Sequence, residues 1–211
     1  MNMKKNSIIG LMLIGLVALV PQLSIQAQEV SKEFKVEKFH SLDLTTVGSV
    51  YFTQASKCSV KIDGKKANVD KIQVYVENGT LCIEPKEDNL NGKKDGVNIY
   101  ITAPTLEDLV FCGVGALYCE DELKIGDFKC ALEGVGKIYI RNLKCQKLKA
   151  EVEGVGKADI HVECQEINAE INGIGSLTLS GKTKKATIDK DGIGVVDTHN
   201  LKITELNKAR S

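Results

Sequence analysis

Hydrophobic and polar residues alternate along most of the chain, and from residue 109 onward a glycine tripeptide interrupts the alternation at regular intervals. The tripeptide has the form Gly-(Val or Ile)-Gly, and its five copies begin 21, 20, 19 and 19 residues apart. The copies occupy residues 113–115, 134–136, 154–156, 173–175 and 192–194. Self-similarity at a period near 20 residues is typical of a solenoid, in which each repeat forms one rung of a stack.

Apolar residues occupy matching positions on both sides of each tripeptide. They lie two, four and six residues before the first glycine and four and six residues after it. In the order of these five offsets they are Phe111, Leu132, Val152 and Ile171; Leu109, Cys130, Ala150 and Ala169; Phe128, Leu148 and Ile167; Leu117, Ile138, Ala158, Leu177 and Val196; and Cys119, Ile140, Ile160 and Leu179. Period-two spacing predicts two half-buried strands in each repeat.

The constant offsets favour parallel rungs over a meander of antiparallel hairpins. A three-residue link could join antiparallel strands, but a meander would not require the same class of residue at the same place in every repeat. Parallel rungs do require it, because each inward side chain lies about 4.8 Å above its equivalent in the next rung. We therefore predict an all-β fold, a right-handed parallel β-helix (β-solenoid) with rungs of about 20 residues. The glycines would permit a sharp corner, and the middle Val or Ile would turn inward to fill it.

The chain divides into three parts on this interpretation. Residues 28–108 alternate without the glycine punctuation and predict irregular early rungs that cover one end of the stack, residues 109–198 carry the repeats, and residues 199–211 form a short polar tail. A weakly covered last rung would expose a strand edge and promote self-association, so a homo-oligomer is one expected state. The strand candidates in the first part are 34–36, 42–44, 50–52, 60–62, 72–76, 81–83 and 97–101, with turns at Asp63-Gly64, Asn78-Gly79 and Asn91-Gly92.

The first 27 residues have the pattern of a cleaved secretory signal peptide. Lys4 and Lys5 precede a 13-residue apolar stretch, and Ala27 is a small residue of the kind that signal peptidase accepts. The alternative is a membrane anchor, but the stretch is shorter than the roughly 20 residues that a bilayer span needs. We expect a single mature domain, residues 28–211, that is exported to the periplasm, the cell surface or the medium and has no membrane span after cleavage.

Composition narrows the possible partners. The whole chain has 28 basic and 28 acidic residues, so no electrostatic attraction to nucleic acid is expected. It has no Trp, five Phe and five Tyr, which suits thin stacked layers built from aliphatic residues and Cys.

The seven cysteines are an odd number without any C-x-x-C spacing, and most fall at predicted inward positions, so we expect few or no disulfides.

The sequence resembles the head GIN domain family, whose members are described as auto-transporter adhesins. The resemblance is carried by residues 39–44, 74–83 and 97–111, the last with Ala103-Pro104-Thr105-Leu106, and by the Gly-x-Gly repeats. It implies an exported protein of Bacteroidetes-type bacteria, with a right-handed β-helix and no assigned catalytic residues. The family's repeats often have Ser before the tripeptide, and here that position holds Cys112, Glu133, Glu153, Asn172 and Asp191.

Outward positions of stacked rungs should form rows, and carboxylates recur in two of them. Like charges at rung spacing repel one another unless a cation neutralises them. A bound Ca²⁺ is one solution, and pairing with Lys137 and Lys157 beside the same corners is the solution that we favour. The repeated polar residues are Glu133, Glu153, Asn172 and Asp191 directly before the tripeptide, and Glu151 and Glu170 nearby.

Two further pairs share an offset in adjacent repeats. Tyr118 and Tyr139 should stack on the outer surface, where we favour packing of one ring on the other over binding of a sugar ring. Cys145 and Cys164 should lie one above the other inside, where we expect buried thiols because side-by-side parallel strands seldom give the dihedral angle of a disulfide.

We assign no catalytic, cofactor-binding or metal-binding residues from the sequence. His40, His161 and His199 fall at unrelated offsets and are expected at the surface, and the tripeptide lies between strands, not before the helix that a phosphate loop needs. We therefore predict a non-enzymatic binding module of the cell envelope or medium, whose partner is a glycan, a cell-surface protein or another copy of the chain. The alternative is a polysaccharide-processing β-helix enzyme or accessory subunit.

Overall fold

The computed structural model describes residues 28–86 and 96–206. The predicted signal peptide, the predicted turn at Asn91-Gly92 and the last five residues of the predicted tail lie outside the described residues. Nearly all regular structure in the described ranges is β, with a single helical turn, α1 (Lys66–Val69). The strands are β1 (Glu29–Phe34), β2 (Ser41–Leu44), β3 (Val47–Gln54), β4 (Ser59–Lys65), β5 (Ile72–Glu77), β6 (Thr80–Pro85), β7 (Val97–Ala103), β8 (Asp108–Phe111), β9 (Val114–Lys124), β10 (Phe128–Leu132), β11 (Val135–Lys144), β12 (Lys147–Val152), β13 (Val155–Glu163), β14 (Glu166–Ile171), β15 (Ile174–Lys190) and β16 (Ile193–Leu206).

The repeats stack in parallel and in register, as the constant offsets predict. On one side of the stack β9, β11, β13, β15 and β16 pair in chain order, and on another β8, β10, β12, β14 and the second half of β15 do the same. Val135 lies opposite Val114 on one neighbour and Val155 on the other, so equivalent residues form continuous rows. The fold is a β-solenoid with rungs of roughly 20 residues.

The core is a column of inward side chains that runs the length of the stack. Leu132, Val152, Ile160 and Leu177 are fully buried, and the other residues at the five apolar offsets are buried with them except Val196 in the last rung, which is only partly buried. Each rung contributes a thin layer of aliphatic side chains and Cys, and contact with the layers above and below removes them from water.

Glycine is required in the tripeptides because neighbouring rungs approach too closely for a side chain. A Cβ added to Gly134 would lie 2.1 Å from the carbonyl oxygen of Gly113, and one added to Gly136 would lie 1.9 Å from that of Gly115. Gly115 itself has φ of +142°, a conformation that L-residues with side chains rarely adopt. Two glycine columns therefore line the corner at which one strand of a rung ends and the next begins.

The first part of the chain closes one end of the stack. The rung β2–β3 lies between the rung β8–β9 and an outer rung β6–β7, all in parallel. Antiparallel strands then finish this end, with β4 on β7, β1 on β4 and β5 on β6. The strand predicted at 34–36 ends at Phe34, and the other six candidates of this part lie within strands.

Two local predictions in this part have opposite outcomes. Asn78, with φ of 50°, and Gly79, with φ of 78°, form the predicted turn, here a tight hairpin between β5 and β6. The turn predicted at Asp63-Gly64 is wrong, because both residues lie inside β4 and pair with β1. Asp63 pairs with β1 and β7 and Gly64 pairs with β1, and this strand pairing outweighs the local turn preference of an Asp-Gly sequence.

The predicted polar tail is also corrected in part. β16 continues to Leu206 and pairs with β15 from Ile174↔Ile193 to Ala186↔Leu206, so residues 199–206 complete the last rung. Leu201 is buried, and Ile203 packs against the core. Leu201 and Ile203 are two residues apart and both face the core, which is the spacing of a strand that is buried on one side.

Candidate functional site

The middle residues of the five tripeptides form an exposed apolar row, which we call the corner stripe: Val114, Val135, Val155, Ile174 and Ile193. Their exposed fractions run from 49% to 75%. They lie opposite one another in successive rungs. The prediction that these side chains turn inward is therefore wrong, and the solenoid instead displays them to solvent.

Alternation along the strand explains the outward orientation. Leu117 and Cys119 point inward in β9, so counting back by two puts Gly115 on the inward side and Val114 on the outward side. The same count holds in β11, where Ile138 points inward and Val135 is exposed. The period-two alternation of the sequence therefore indicates an outward position for these side chains. The inward prediction followed from the different expectation that they fill the corner between the strands.

Rows of different charge border the corner stripe. On the side before the tripeptide, Glu133, Glu153 and Asp191 are exposed, and on the side after it Lys137 is exposed and Lys157 half-exposed. In the described ranges neither Glu153 nor Lys137 has an ion-pair partner. The stripe is therefore an aliphatic surface with acidic side chains along one side and, in two of its five rungs, lysines along the other.

The predicted neutralisation of the acidic rows by Lys137 and Lys157 is not what the structure has. The Nζ of Lys157 lies 3.5 Å from Oδ2 of Asp159, on its own strand. Glu151, which is buried, has its carboxylate between Lys149, in contact with Oε1, and Lys129, whose Nζ is 3.4 Å from Oε2. Burial opposes ionisation of Glu151, but these ammonium groups outweigh it and hold its pKa below the usual value of 4.5.

The acidic rows do not converge on one point. Glu170 accepts a hydrogen bond of 2.7 Å from the side-chain amide of Asn172. Glu133 accepts one of 3.2 Å from the thiol of Cys112. In the part of the chain that the structure describes, no three His, Cys, Asp or Glu side chains are grouped so that they could hold a metal ion.

A row of tyrosines lies on the outer surface of the first rungs. Tyr118 and Tyr139 are in register, as predicted, and the row also includes Tyr51 and Tyr100. The ring of Tyr51 stacks on Tyr100 with centroids 5.2 Å apart and on Tyr118 at 5.4 Å. The Nζ of Lys61 lies 4.6 Å from the centroid of Tyr100. Both faces of Tyr51 are thus covered by neighbouring rings, which leaves it no free face for a sugar. The predicted stacking of Tyr118 on Tyr139 is not among the ring contacts of the described residues, where Tyr118 stacks on Tyr51 instead.

Sequence reasoning missed Tyr51 and Tyr100 because they lie outside the glycine repeats. A usable pattern was nevertheless present. Each of these tyrosines lies between two inward apolar residues, Val50 and Phe52 or Ile99 and Ile101, as Tyr118 and Tyr139 do in their own strands. A tyrosine between two inward apolar residues is therefore the sequence pattern that indicates a place in the tyrosine row.

The three histidines lie at the surface, as predicted, and each contacts a different partner. Nδ1 of His161 is 2.9 Å from the hydroxyl of Ser180, and Nδ1 of His199 is 2.7 Å from a carboxylate oxygen of Asp197. Nδ1 of His40 is 3.5 Å from Glu107, on another part of the stack. The fold does not bring the three imidazoles together.

The seven cysteines are thiols in this structure. Cys145 and Cys164 lie one above the other in adjacent rungs and are buried, as predicted, with Sγ of Cys164 3.5 Å from the Thr183 hydroxyl. Burial raises the pKa of Cys119 and of Cys130 to about 12, which keeps these thiols protonated at neutral pH. They act as small core residues.

Together these features define a class of protein: a rigid parallel β-solenoid with an aliphatic surface bordered by charge. The particular family follows from the sequence, because the family described as "Putative auto-transporter adhesin, head GIN domain" matches residues 38–208, and the chain belongs to it.

Solved structures resemble the chain over most of its length. A "putative adhesin" from Bacteroides fragilis NCTC 9343 is 26% identical with a TM-score of 0.60, and the match covers 82% of this chain and 97% of that one. A "putative adhesin" from Parabacteroides distasonis ATCC 8503 is 16% identical with a TM-score of 0.72, covering 86% and 78%. A "putative lipid binding protein" from the same strain is 17% identical with a TM-score of 0.75, covering 85% and 77%. The last two likenesses concern the fold.

No curated protein matches the chain significantly. Among the described residues, no helix has the length and apolar character needed to cross a bilayer.

Proposed function

We propose that the chain is an exported, non-enzymatic binding module of the cell envelope or medium, and that it holds a protein partner against the corner stripe. The observation that carries the proposal is the row of five aliphatic side chains, each about half exposed or more, in successive rungs. Contiguous exposed apolar surface of this kind is typical of interaction sites on soluble proteins.

The chemistry of the surface favours a protein over a glycan. Sugar rings pack on free aromatic faces, and both faces of Tyr51 are covered by its neighbours. The stripe offers Val and Ile, which bind apolar side chains by excluding water, and its acidic and basic borders can fix the orientation of a partner.

Rigidity of the scaffold supports binding. The stripe side chains are β-branched, with few rotamers, and each lies between glycines held against the neighbouring rung. Ordering such a surface on binding costs little conformational entropy, so more of the contact energy remains as affinity.

The test compares a polar stripe with an apolar one of altered size. Val135→Thr, Val155→Thr and Ile174→Thr together keep β-branching and remove three apolar surfaces. The double variant Val135→Ile and Val155→Ile is the matched control. Purified chains are offered to beads coated with collagen, fibronectin, fibrinogen or albumin, with mucin glycans, or with phosphatidylethanolamine–phosphatidylglycerol vesicles.

We expect the unmodified chain and the Ile control to bind at least one protein-coated bead, and the Thr variant to bind about tenfold more weakly. Thermal melting by circular dichroism checks that all three chains are folded. Binding confined to the mucin or vesicle beads, binding to none of the beads, or equal binding by the Thr variant would contradict the proposal.

A further inference from the structure

The last strand leaves one edge of the stack without a neighbouring strand. In residues 28–86 and 96–206, β16 pairs with β15 and with no other strand, whereas β13 pairs with both β11 and β15. β16 is 14 residues long. The backbone groups on its outer side therefore form a long unpaired edge, which can template pairing with another strand.

Apolar side chains at this end are incompletely covered. Leu177 is fully buried in β15, whereas Val196, its equivalent in β16, is only partly buried. Ile203 is also partly buried, and Val195 is 62% exposed. One more layer of β-structure against the free edge of β16 would remove the inward side chains of Val196 and Ile203 from water.

The opposite end of the stack does not offer the complementary surface for head-to-tail growth. There β1 and β5 run antiparallel to their neighbours, so the parallel register of the rungs stops. β1 is six residues long and exposes Glu29, Lys32 and Glu33, which discourage edge pairing.

We propose that two copies of the chain pair end to end, β16 against β16 in antiparallel orientation, about a two-fold axis. A two-fold contact uses the same edge on both copies and is closed, so it yields a dimer and no filament. The dimer joins two stacks into one of twice the length, with closed ends outward.

The sequence of β16 is self-complementary in one antiparallel register. When Val196 of one copy lies opposite Ile203 of the other, Asp197 lies opposite Lys202, and the two-fold axis generates both pairs twice. Val196 and Ile203 face the core, and Asp197 and Lys202 face outward. The register therefore completes the core layer and pairs opposite charges on the surface.

The side chains of Asp197 and Lys202 are accessible for the ion pair that this register would form between the two copies. Within the described residues, Lys202 forms no ion pair, and the side chain of Asp197 is 44% exposed beside His199. Pairing across the two-fold axis would give each carboxylate an ammonium partner without burying either charge fully.

The test measures dimerisation of the purified exported chain by sedimentation equilibrium up to high micromolar concentration. Val195→Lys adds a charge to the free edge, and Ser176→Lys adds the same charge one rung inward in the same row as the matched control. Asp197→Lys and Lys202→Asp are studied singly and together.

We expect a monomer–dimer equilibrium that Ser176→Lys leaves unchanged. Val195→Lys and each single charge change should weaken dimerisation about tenfold, and the double charge exchange should restore it to within about threefold. A chain that stays monomeric, that forms larger polymers, or whose double exchange is no better than the single changes would overturn the proposal. Bead binding by the corner stripe is measured separately, so either proposal can fail without the other.

Discussion

The two ends of the stack solve the same problem differently. Every rung has two edges that must be paired or protected, and the first part of the chain provides antiparallel strands for one of them. At the other end β16 has the same parallel register as the inner rungs, and none of the described strands pairs with its outer side. The repeat builds the interior of the stack, but a solenoid needs non-repetitive sequence to end it.

The difference concerns burial as well as backbone pairing. Ile62, in β4 at the closed end, is fully buried, whereas Ile203, in β16 at the open end, is only partly buried. The same type of residue is therefore expected to contribute unequally to the stability of the fold at the two ends.

The largest effect is expected from the glycine columns. A Cβ at Gly136 meets backbone at 1.9 Å in an inner rung, fixed by strands on both sides, so Gly136→Ala should cost about 4 kcal/mol or more. At Gly194 the clash is at 2.1 Å, but among the described strands β16 has a neighbour on one side only and can shift, so we expect about 1–2 kcal/mol. Urea unfolding measures both.

Gly126 is the matched control for this comparison. A Cβ there would meet nothing within 4 Å, so Gly126→Ala should change stability by about 0.5 kcal/mol or less. If Gly136→Ala lowered the free energy of unfolding as little as Gly126→Ala does, the rungs could not lie as close together as the structure has them.

A smaller effect is expected from removing an isoleucine at each end. Ile62→Ala empties a buried site between paired strands and should cost about 2–5 kcal/mol. Ile203→Ala removes a side chain that is already partly in water and should cost about 1 kcal/mol. Denaturant unfolding of the chain below its dimerisation range gives the comparison. Equal costs would mean that the open end is as well covered as the closed one.

The smallest effect is expected from the acid dependence of stability. The pKa of Glu151 is lower in the folded chain than in the unfolded chain. Ionised Glu151 therefore stabilises the fold at pH values above its unfolded pKa, and this stabilisation is lost as the pH falls through the folded pKa. Glu151→Gln should cost about 1 kcal/mol at neutral pH and flatten the loss of stability between about pH 5 and pH 3.

Asp197 is the comparison at the open end. Contacts with His199, first with its backbone N–H, lower the pKa of Asp197, but the carboxylate is exposed to solvent. Asp197→Asn should therefore change the acid dependence less than Glu151→Gln does. Thermal melting across the acid range measures both, and a larger effect of Asp197→Asn would contradict the assigned role of Glu151.

Much of the fold was predictable because the interior is repetitive. Val152 and Ile171, at equal offsets in successive repeats, required parallel rungs in register, and the structure confirms this. The family was predictable from these repeats together with the segments 39–44, 74–83 and 97–111. The turn at Asn78-Gly79 was predictable because a two-residue hairpin depends on local backbone preference.

The candidate site was less predictable. The corner stripe was predicted to face inward because its side chains were expected to fill the corner that the glycines permit, whereas the alternation that puts Leu117 inward puts Val114 outward. The partners of Glu151 were missed because Lys129 precedes it by 22 residues and becomes its neighbour only through stacking. The strand through Asp63-Gly64 was missed because its pairing partners, β1 and β7, are distant in sequence.

The sequence by itself determined the rung length, the parallel register, the inward positions and the glycine columns, since each of these follows from a period in the chain. Only the tertiary structure decided which strands close one end, which surfaces the rows expose and which charges meet. The physical reason is that a period describes contacts between equivalent residues, whereas ends, corners and ion pairs depend on residues that are not equivalent.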